Sequence, residues 1–116
     1  MTRAAALTAL QALANGARLD LVRLLMPRGT QGLAAGDIGR SLGLSASRLS
    51  FHLSTLEQAG LIRARKEGRN VFYSVDAGGM GQTIAFLLND CCRDHPEVLA
   101  CCRHGQMPAE IRPARD

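Results

Sequence analysis

The stretch LSASRLSFHLSTLEQAGLIRARKEGRNVFYSV, residues 44–75, changes its hydrophobic period part-way along. Its first half places leucines at helical spacing between Ser45, a good capping residue, and Gly60, which ends the repeat. Its second half contains two runs, 61–66 and 71–75, in which apolar and polar residues alternate around the turn residues EGRN. The stretch therefore predicts one helix followed directly by a β-hairpin.

Three further helices are predicted before this stretch and one after it. The first covers residues 3–14, the second follows the capping residue Asn15, the third covers 37–42, and the last covers 80–92 after an interruption at 78–81. In the first helix Leu7, Leu10 and Ala14 fall at helical spacing, and the second helix carries an apolar stripe of Leu19, Val22 and Leu25 that Leu21 and Leu24 widen. The predicted fold is therefore mainly α with a β-hairpin (α+β), in the order α-α-α-α-β-β-α.

Composition and charge narrow the class of protein. The 116 residues suffice for one domain with its own core, and no apolar run is long enough to span a membrane. The N-terminal Ala/Leu run has helical spacing rather than the pattern of a signal peptide, so we expect a cytoplasmic protein. Residues 1–75 carry a net charge of +6 and the remainder −2, in keeping with the overall +4. A basic surface is therefore expected in the first two-thirds of the chain.

The third helix, the tight turn GLS and the fourth helix form a helix-turn-helix pattern, in which the second helix enters the major groove of DNA. The exposed side of that helix carries Ser47, Arg48, Phe51 and Thr55. Arg48 is of a type that pairs bidentately with a guanine edge, and Phe51 of a type that touches a thymine methyl group or a sugar. His52 lies nearer the buried side and is interpreted as a hydrogen-bonded packing residue.

The hairpin supplies a second basic element. Its arm and tip carry Arg63, Arg65, Lys66 and Arg69, which suit contacts with phosphates or a minor groove. The pattern LSxSxxSxHLxxLxxAGLxxxRxEGRxxxY resembles that of the ArsR/SmtB family of winged-helix repressors, and the resemblance covers residues 10–75.

This resemblance implies a winged helix-turn-helix homodimer, joined through the first and last helices, that binds an inverted-repeat operator in double-stranded DNA. It places Ser45, Ser47, Arg48, Phe51 and Arg69 at DNA-facing positions. Family members frequently carry His at position 51, so Phe51 departs from the family pattern.

All four cysteines lie in NDCCRDHPEVLACC, residues 89–102. Cys91 and Cys92 end the last predicted helix, and Asp94 with Glu97 resembles a capping box for a short further helix bearing Cys101 and Cys102. A fold-back at 93–96 would bring the two pairs together as a soft thiolate site. We accordingly divide the chain into a DNA-binding and dimerisation domain, 1–92, and a cysteine-containing segment and tail, 93–116.

The resemblance favours As(III) as the ligand, since a subset of the family carries a CC pair late in the last helix and senses arsenite through three cysteines. Cys91 and Cys92 are the firmest ligands, and either Cys101 or Cys102 supplies the third. Sb(III) and methylated trivalent arsenic, which needs only two thiols, remain open, as does a redox-sensing dithiol. The family's zinc set is not matched by Asp90, His95 and His104, whose spacing differs.

An enzyme is the least favoured class. A thiol-dependent arsenate reductase needs a CxxxxxR loop, and no cysteine here is followed by Arg at that spacing; no CxxC redox motif occurs either. No organic cofactor is expected. The sequence thus predicts a metalloid-responsive repressor, with a redox- or persulfide-sensing repressor as the alternative.

Overall fold

The computed structural model describes residues 1–104, so most of the tail expected at 103–116 lies outside the described residues. Within that range the chain forms six helices and three strands, as the predicted mainly α fold with a hairpin requires. They are α1 Arg3–Leu13, α2 Gly16–Leu25, β1 Leu33–Ala34, α3 Ala35–Leu42, α4 Ala46–Gln58, β2 Ile62–Glu67, β3 Asn70–Val75, α5 Ala77–Phe86 and α6 Pro96–His104.

The three strands form an antiparallel sheet in the order β1-β3-β2. Ile62 pairs with Val75 and Arg65 with Phe72, so Ile62, Tyr73 and Val75 point toward the core while Arg65 and Phe72 lie on the opposite face. Helices α2, α3 and α4 pack against this sheet, and α1 packs against α2 and α4. The buried core consists of Ala9, Ala12, Leu21, Val22, Leu25, Ile38, Leu49, Leu53, Leu56, Leu61 and Ile62.

The apolar spacing in α1 does not mark the face that is buried in the single chain, and the apolar stripe of α2 marks it only in part. In α1 the buried residues are Ala6, Ala9 and Ala12, whereas Leu7 is 47% exposed. In α2, Leu19 is 48% exposed although Leu21, Val22 and Leu25 are buried as expected. Small alanines allow α1 to approach its neighbours closely, which leaves its larger apolar side chains on the surface of the single chain.

Helix α5 begins at Ala77, so the interruption predicted at Gly78–Gly81 does not occur. The Asp76 carboxylate accepts a hydrogen bond from the Gly79 N–H (3.0 Å), which satisfies a free donor of the first turn. A Cβ built on Gly79 would lie 1.7 Å from the Gly60 carbonyl oxygen. Gly79 is therefore required because two backbones meet here, and the glycines permit this helix start rather than breaking it.

After Phe86 the chain makes a π-helical turn, Leu87–Cys91, and two consecutive residues, Arg93 and Asp94, adopt left-handed φ angles of 52° and 56°. This break separates α5 from α6. The predicted Asp94–Glu97 capping box is wrong, because the N–H of Glu97 is bonded instead by the His95 Nδ1 (3.2 Å).

The two-residue strand β1 was not predicted, since so short a segment shows no period. By its internal contacts the chain divides into two compact units, 1–83 and 84–116, and the domain boundary predicted at residue 92 stays a prediction. Within residues 1–104, none of the helices has the length and apolar character needed to cross a lipid bilayer.

Candidate nucleic-acid interface and thiol site

The N-terminal turn of α4 presents polar and basic groups to solvent. The Ser45 hydroxyl caps the helix by accepting a hydrogen bond from the Arg48 N–H (3.3 Å), and it lies 3.5 Å from the Ser47 hydroxyl. Ser45, Ser47 and Arg48 are all exposed, and Phe51 is 64% exposed one turn further along. These four predicted contact residues thus share one accessible surface. Free backbone N–H groups and the helix dipole make such a helix start favourable for phosphate.

The opposite side of α4 is anchored by His52. Its ring is buried, and its Nδ1 lies 3.1 Å from the Arg18 Nη1, while the Arg18 Nε donates to the Ala12 carbonyl at 2.6 Å. A guanidinium can only donate, so His52 Nδ1 accepts and the ring proton resides on Nε2. Burial lowers the pKa of His52, and the charges of Arg18 and Arg48 lower it further. The packing role predicted for His52 is confirmed.

The sequence did not predict the role of Arg18 as the hydrogen-bond partner of His52. Arg18 connects the C-terminal end of α1 with the recognition helix α4, and the only sequence signal was a basic residue one turn after the cap Asn15. A basic residue at a helix start ordinarily indicates nothing more than a solvated face. Only the tertiary structure reveals this partner.

The β2–β3 hairpin forms the wing. Its turn contains Gly68, with φ of +63°, and exposes Lys66 and Arg69 at the tip. Within the described part of the chain, none of the ion pairs includes Arg48, Lys66 or Arg69. Arg63 pairs with Asp76 at 3.4 Å, and Arg65 pairs with Glu67 at 3.2 Å. The wing thus contains two basic groups open to a ligand and two that are engaged internally.

The four cysteines are free thiols at residues 91–102. Cys91 and Cys102 are exposed, and Cys92 and Cys101 are half-buried. Partial burial raises the pKa of the Cys92 thiol, and the neighbouring charge of Cys91 and a hydrogen bond with it raise the pKa further. Cys91 and Cys92 are adjacent in the sequence, so this pair offers two neighbouring sulfur donors.

The structure does not bring three of these thiols together in one chain. Across residues 1–104, no three Cys, His, Asp or Glu side chains are grouped so that they could hold a metal ion. The expected superposition of the two pairs is therefore not formed in this conformation. The assignment of Cys91, Cys92, Cys101 and Cys102 as ligands stays a prediction.

Comparison with known proteins shows which proteins share this architecture. A family model described as a helix-turn-helix domain matches residues 13–65, which extend from the end of α1 into β2. The HTH-type transcriptional regulator YgaV of Escherichia coli is 37% identical over 72 residues, which make up 62% of this chain and 73% of YgaV. The chain belongs to the ArsR-like family of winged helix-turn-helix transcriptional regulators.

Two further relatives of this ArsR-like protein bear on its function. The probable mercury resistance operon repressor of Streptomyces lividans is 30% identical over 92 residues, or 79% of this chain and 70% of the repressor. The solution structure of a homodimeric winged helix-turn-helix DNA-binding domain from Mycobacterium bovis, a possible ArsR-family regulator, has a TM-score of 0.62 at 28% identity, covering 82% of this chain and 84% of that domain. The chain is thus a DNA-binding transcriptional regulator, and the relatives have a regulatory role rather than an enzymatic one.

Proposed function

We propose that this protein is a cytoplasmic homodimeric repressor that leaves an inverted-repeat operator when As(III) binds its C-terminal thiols. The observation that carries the proposal is the placement of all four cysteines, free and in two adjacent pairs, in the segment after α5 of a DNA-binding fold. A regulator's ligand site needs no catalytic group, only donors whose occupancy changes its conformation.

The DNA half of the proposal is supported by the exposed groups of α4 and the wing. Ser47, Arg48 and Phe51 would enter the major groove, while Lys66 and Arg69 would contact phosphates beside it. The exposed face of α4 carries several hydroxyl groups and the guanidinium of Arg48, which suit base and phosphate contacts. Two such surfaces related by a two-fold axis would read two half-sites of an inverted repeat.

Dimerisation is supported by large apolar side chains left on the surface of the single chain. Leu7 on α1 and Ile84 on α5, which is 45% exposed, lie on the two helices proposed to meet a second subunit. Burying such residues against a copy of the chain removes apolar surface from water. The M. bovis relative is homodimeric, which agrees with a dimer here.

The thiol chemistry supports a trivalent arsenic ligand. Each protonated thiol condenses with one hydroxyl group of arsenous acid: an As–S bond forms, an As–O bond breaks, and the thiol proton leaves with the hydroxyl as water. The Cys92 thiol, whose pKa is raised, enters this reaction in its protonated form. Cys91 and Cys92 supply two sulfurs, and the third would come from Cys101 or Cys102 after movement at 93–96, or from the second subunit.

Because sulfur donors are soft, several thiophilic ligands suit the proposed site. Such donors select thiophilic ions, so Sb(III) would occupy the same three-sulfur site and methylated trivalent arsenic would need only the Cys91–Cys92 pair. The S. lividans relative, described as a probable mercury resistance operon repressor, agrees with a regulator of thiophilic metal resistance. Lowering operator affinity tenfold to a hundredfold requires only about 1.4–2.8 kcal/mol of coupling between the two sites.

The test is fluorescence anisotropy of labelled DNA from upstream of the chain's own coding sequence, titrated anaerobically with reduced protein. We expect arsenite to weaken binding at least tenfold, and Cys91→Ser or Cys92→Ser to abolish this response while leaving metal-free binding intact. Comparing Cys101→Ser with Cys102→Ser identifies the third ligand. Operator binding that is indifferent to arsenite would refute the metalloid mechanism.

A thiol redox sensor is the second candidate, and the two adjacent pairs of free cysteines favour it. In that case hydrogen peroxide or a persulfide would link thiols into a disulfide, with two electrons passing to the oxidant. DNA release would then follow oxidation, dithiothreitol would reverse it, and arsenite would not be needed. The same anisotropy assay, run with peroxide in place of arsenite, separates the two candidates.

A further inference from the structure

The Arg65 side chain is committed to contacts within the protein. Its Nη1 donates to the Thr30 carbonyl at 3.0 Å and its Nη2 to the Gln31 carbonyl at 3.4 Å. Its Nε donates to the Glu67 carboxylate at 3.3 Å, and the guanidinium lies 5.1 Å from the centre of the Phe72 ring. These contacts use all three nitrogens and the flat face of the group.

The contacts connect the wing with the loop that precedes β1. Arg65 lies on the edge strand β2 and crosses over Phe72 of the central strand to reach Thr30 and Gln31, just before β1 on the other edge. That loop is packed tightly, because a Cβ built on Gly32 would lie 2.0 Å from the Tyr73 carbonyl oxygen. Arg65 thus spans the outer face of the sheet and ends on backbone carbonyls directly before this close contact.

The same contacts reduce the capacity of Arg65 to bind phosphate. Its side chain is 47% exposed and its charge is offset by Glu67, whereas Lys66 and Arg69 at the wing tip are exposed and belong to none of the ion pairs of residues 1–104. Three of its five N–H donors are already used within the protein, so fewer remain for a phosphate.

We propose that Arg65 is a positioning residue, which holds the wing at a fixed angle so that Lys66 and Arg69 reach the phosphates of bound DNA. Arg is required here because its planar fork donates to two adjacent carbonyls and stacks on a ring at once. An ammonium group of the same charge offers neither geometry. This inference rests on the wing contacts of the proposed function, and the experiments below separate the two.

The first measurement is of wing mobility without DNA. Backbone 15N order parameters of residues 66–70 are compared in the wild type, Arg65→Lys and Arg63→Lys. We expect them to fall from about 0.85 toward 0.6 in Arg65→Lys only, since Arg63 holds no carbonyl of the 30–31 loop. Arg65 lies on the outer face of the sheet, so the substitution leaves the core intact. Unchanged order parameters in Arg65→Lys would overturn the proposal.

The second measurement is a double-mutant cycle on binding to a fluorescein-labelled duplex of about 30 base pairs of random sequence at low salt. Arg65→Lys should weaken binding about fivefold to tenfold although the charge is kept, and should have no further effect in a Lys66→Gln, Arg69→Gln background. A direct phosphate contact predicts the reverse: Lys preserves affinity, while Arg65→Gln adds its loss in either background and lowers the salt slope by about 0.9.

The Lys66→Gln, Arg69→Gln variant also tests the wing contacts of the proposed function separately from the role of Arg65. If the Lys66→Gln, Arg69→Gln protein binds as tightly as the wild type, the wing does not contact DNA and that part of the proposed function fails. The order parameters still decide whether Arg65 fixes the wing.

Discussion

Acidification should weaken this protein through His52. The neutral ring accepts a hydrogen bond from Arg18 inside the domain, so a proton added to Nδ1 would remove that bond and place two cations face to face. The pKa of His52 in the folded chain therefore lies below its ordinary value of 6.5, because of burial first and then of the charges of Arg18 and Arg48. In the unfolded chain the group returns to that ordinary value.

The sign and size of the effect follow from proton linkage. Below pH 6.5 the unfolded chain binds a proton that the folded chain does not, so the stability contributed by neutral His52 is complete above 6.5 and is lost as the pH falls. The free energy of unfolding should decrease by up to about 1.4 kcal/mol per pH unit until the lowered pKa of the folded state is reached. Between about pH 7.5 and 5.5 the loss is thus at most about 1.4 kcal/mol.

The assay is urea unfolding followed by circular dichroism at fixed protein concentration, for the wild type and His52→Asn. Asparagine places an acceptor near the position of Nδ1 but does not titrate, so the difference between the two proteins cancels every other ionisable group. We expect the wild type to lose more stability than the variant on acidification, and Arg18→Met to cost about 1–3 kcal/mol at neutral pH because it leaves a carbonyl and a ring nitrogen without a donor. Parallel pH profiles for wild type and His52→Asn would show that protonation of His52 is not what destabilises the protein in acid.

Three further substitutions test other parts of the structure. Gly79→Ala should lower the free energy of unfolding by about 2–4 kcal/mol, because its Cβ would meet the Gly60 carbonyl, whereas Gly81→Ala in the same helix has open space and should raise it by about 0.5–1 kcal/mol; equal urea midpoints would contradict this. Ser45→Ala should cost about 1 kcal/mol through loss of the α4 cap, and Ser50→Ala on the exposed face of α4 should cost nothing measurable in thermal unfolding. Arg48→Gln should weaken operator binding about tenfold in anisotropy titrations, and more than Arg40→Gln, whose guanidinium is already paired with Asp37; equal losses would argue against a base contact by Arg48.

The helix-turn-helix and the hairpin could be predicted because local signals and tertiary structure agree there. Ser45 caps α4, Gly43 ends α3 with a left-handed φ of 65°, and the alternation in 61–75 matches the faces of β2 and β3 to within a residue at their ends. Each of these signals acts within a few residues of chain.

The errors occur where a distant partner decides the structure. Gly78–Gly81 predicts a break on local grounds, but the start of α5 depends on Asp76 and on the approach of the Gly60 backbone, some twenty residues earlier. The alanine face of α1 is buried because of what packs against it, which no periodicity reveals. The left-handed pair Arg93 and Asp94 carries no glycine to announce it, so the relation between the two cysteine pairs could not be derived from spacing.

The contact between Gly79 and Gly60 has a mechanical consequence. Where helices meet through side chains, a small displacement is absorbed by rotamer changes, and little of it reaches the partner element. Here the first turn of α5 bears directly on the backbone that follows α4, with no side chain between them to yield. A shift of α5 along this line must therefore displace the end of the recognition helix by a similar distance or separate the two backbones. The contact between the two backbones is therefore rigid along this direction.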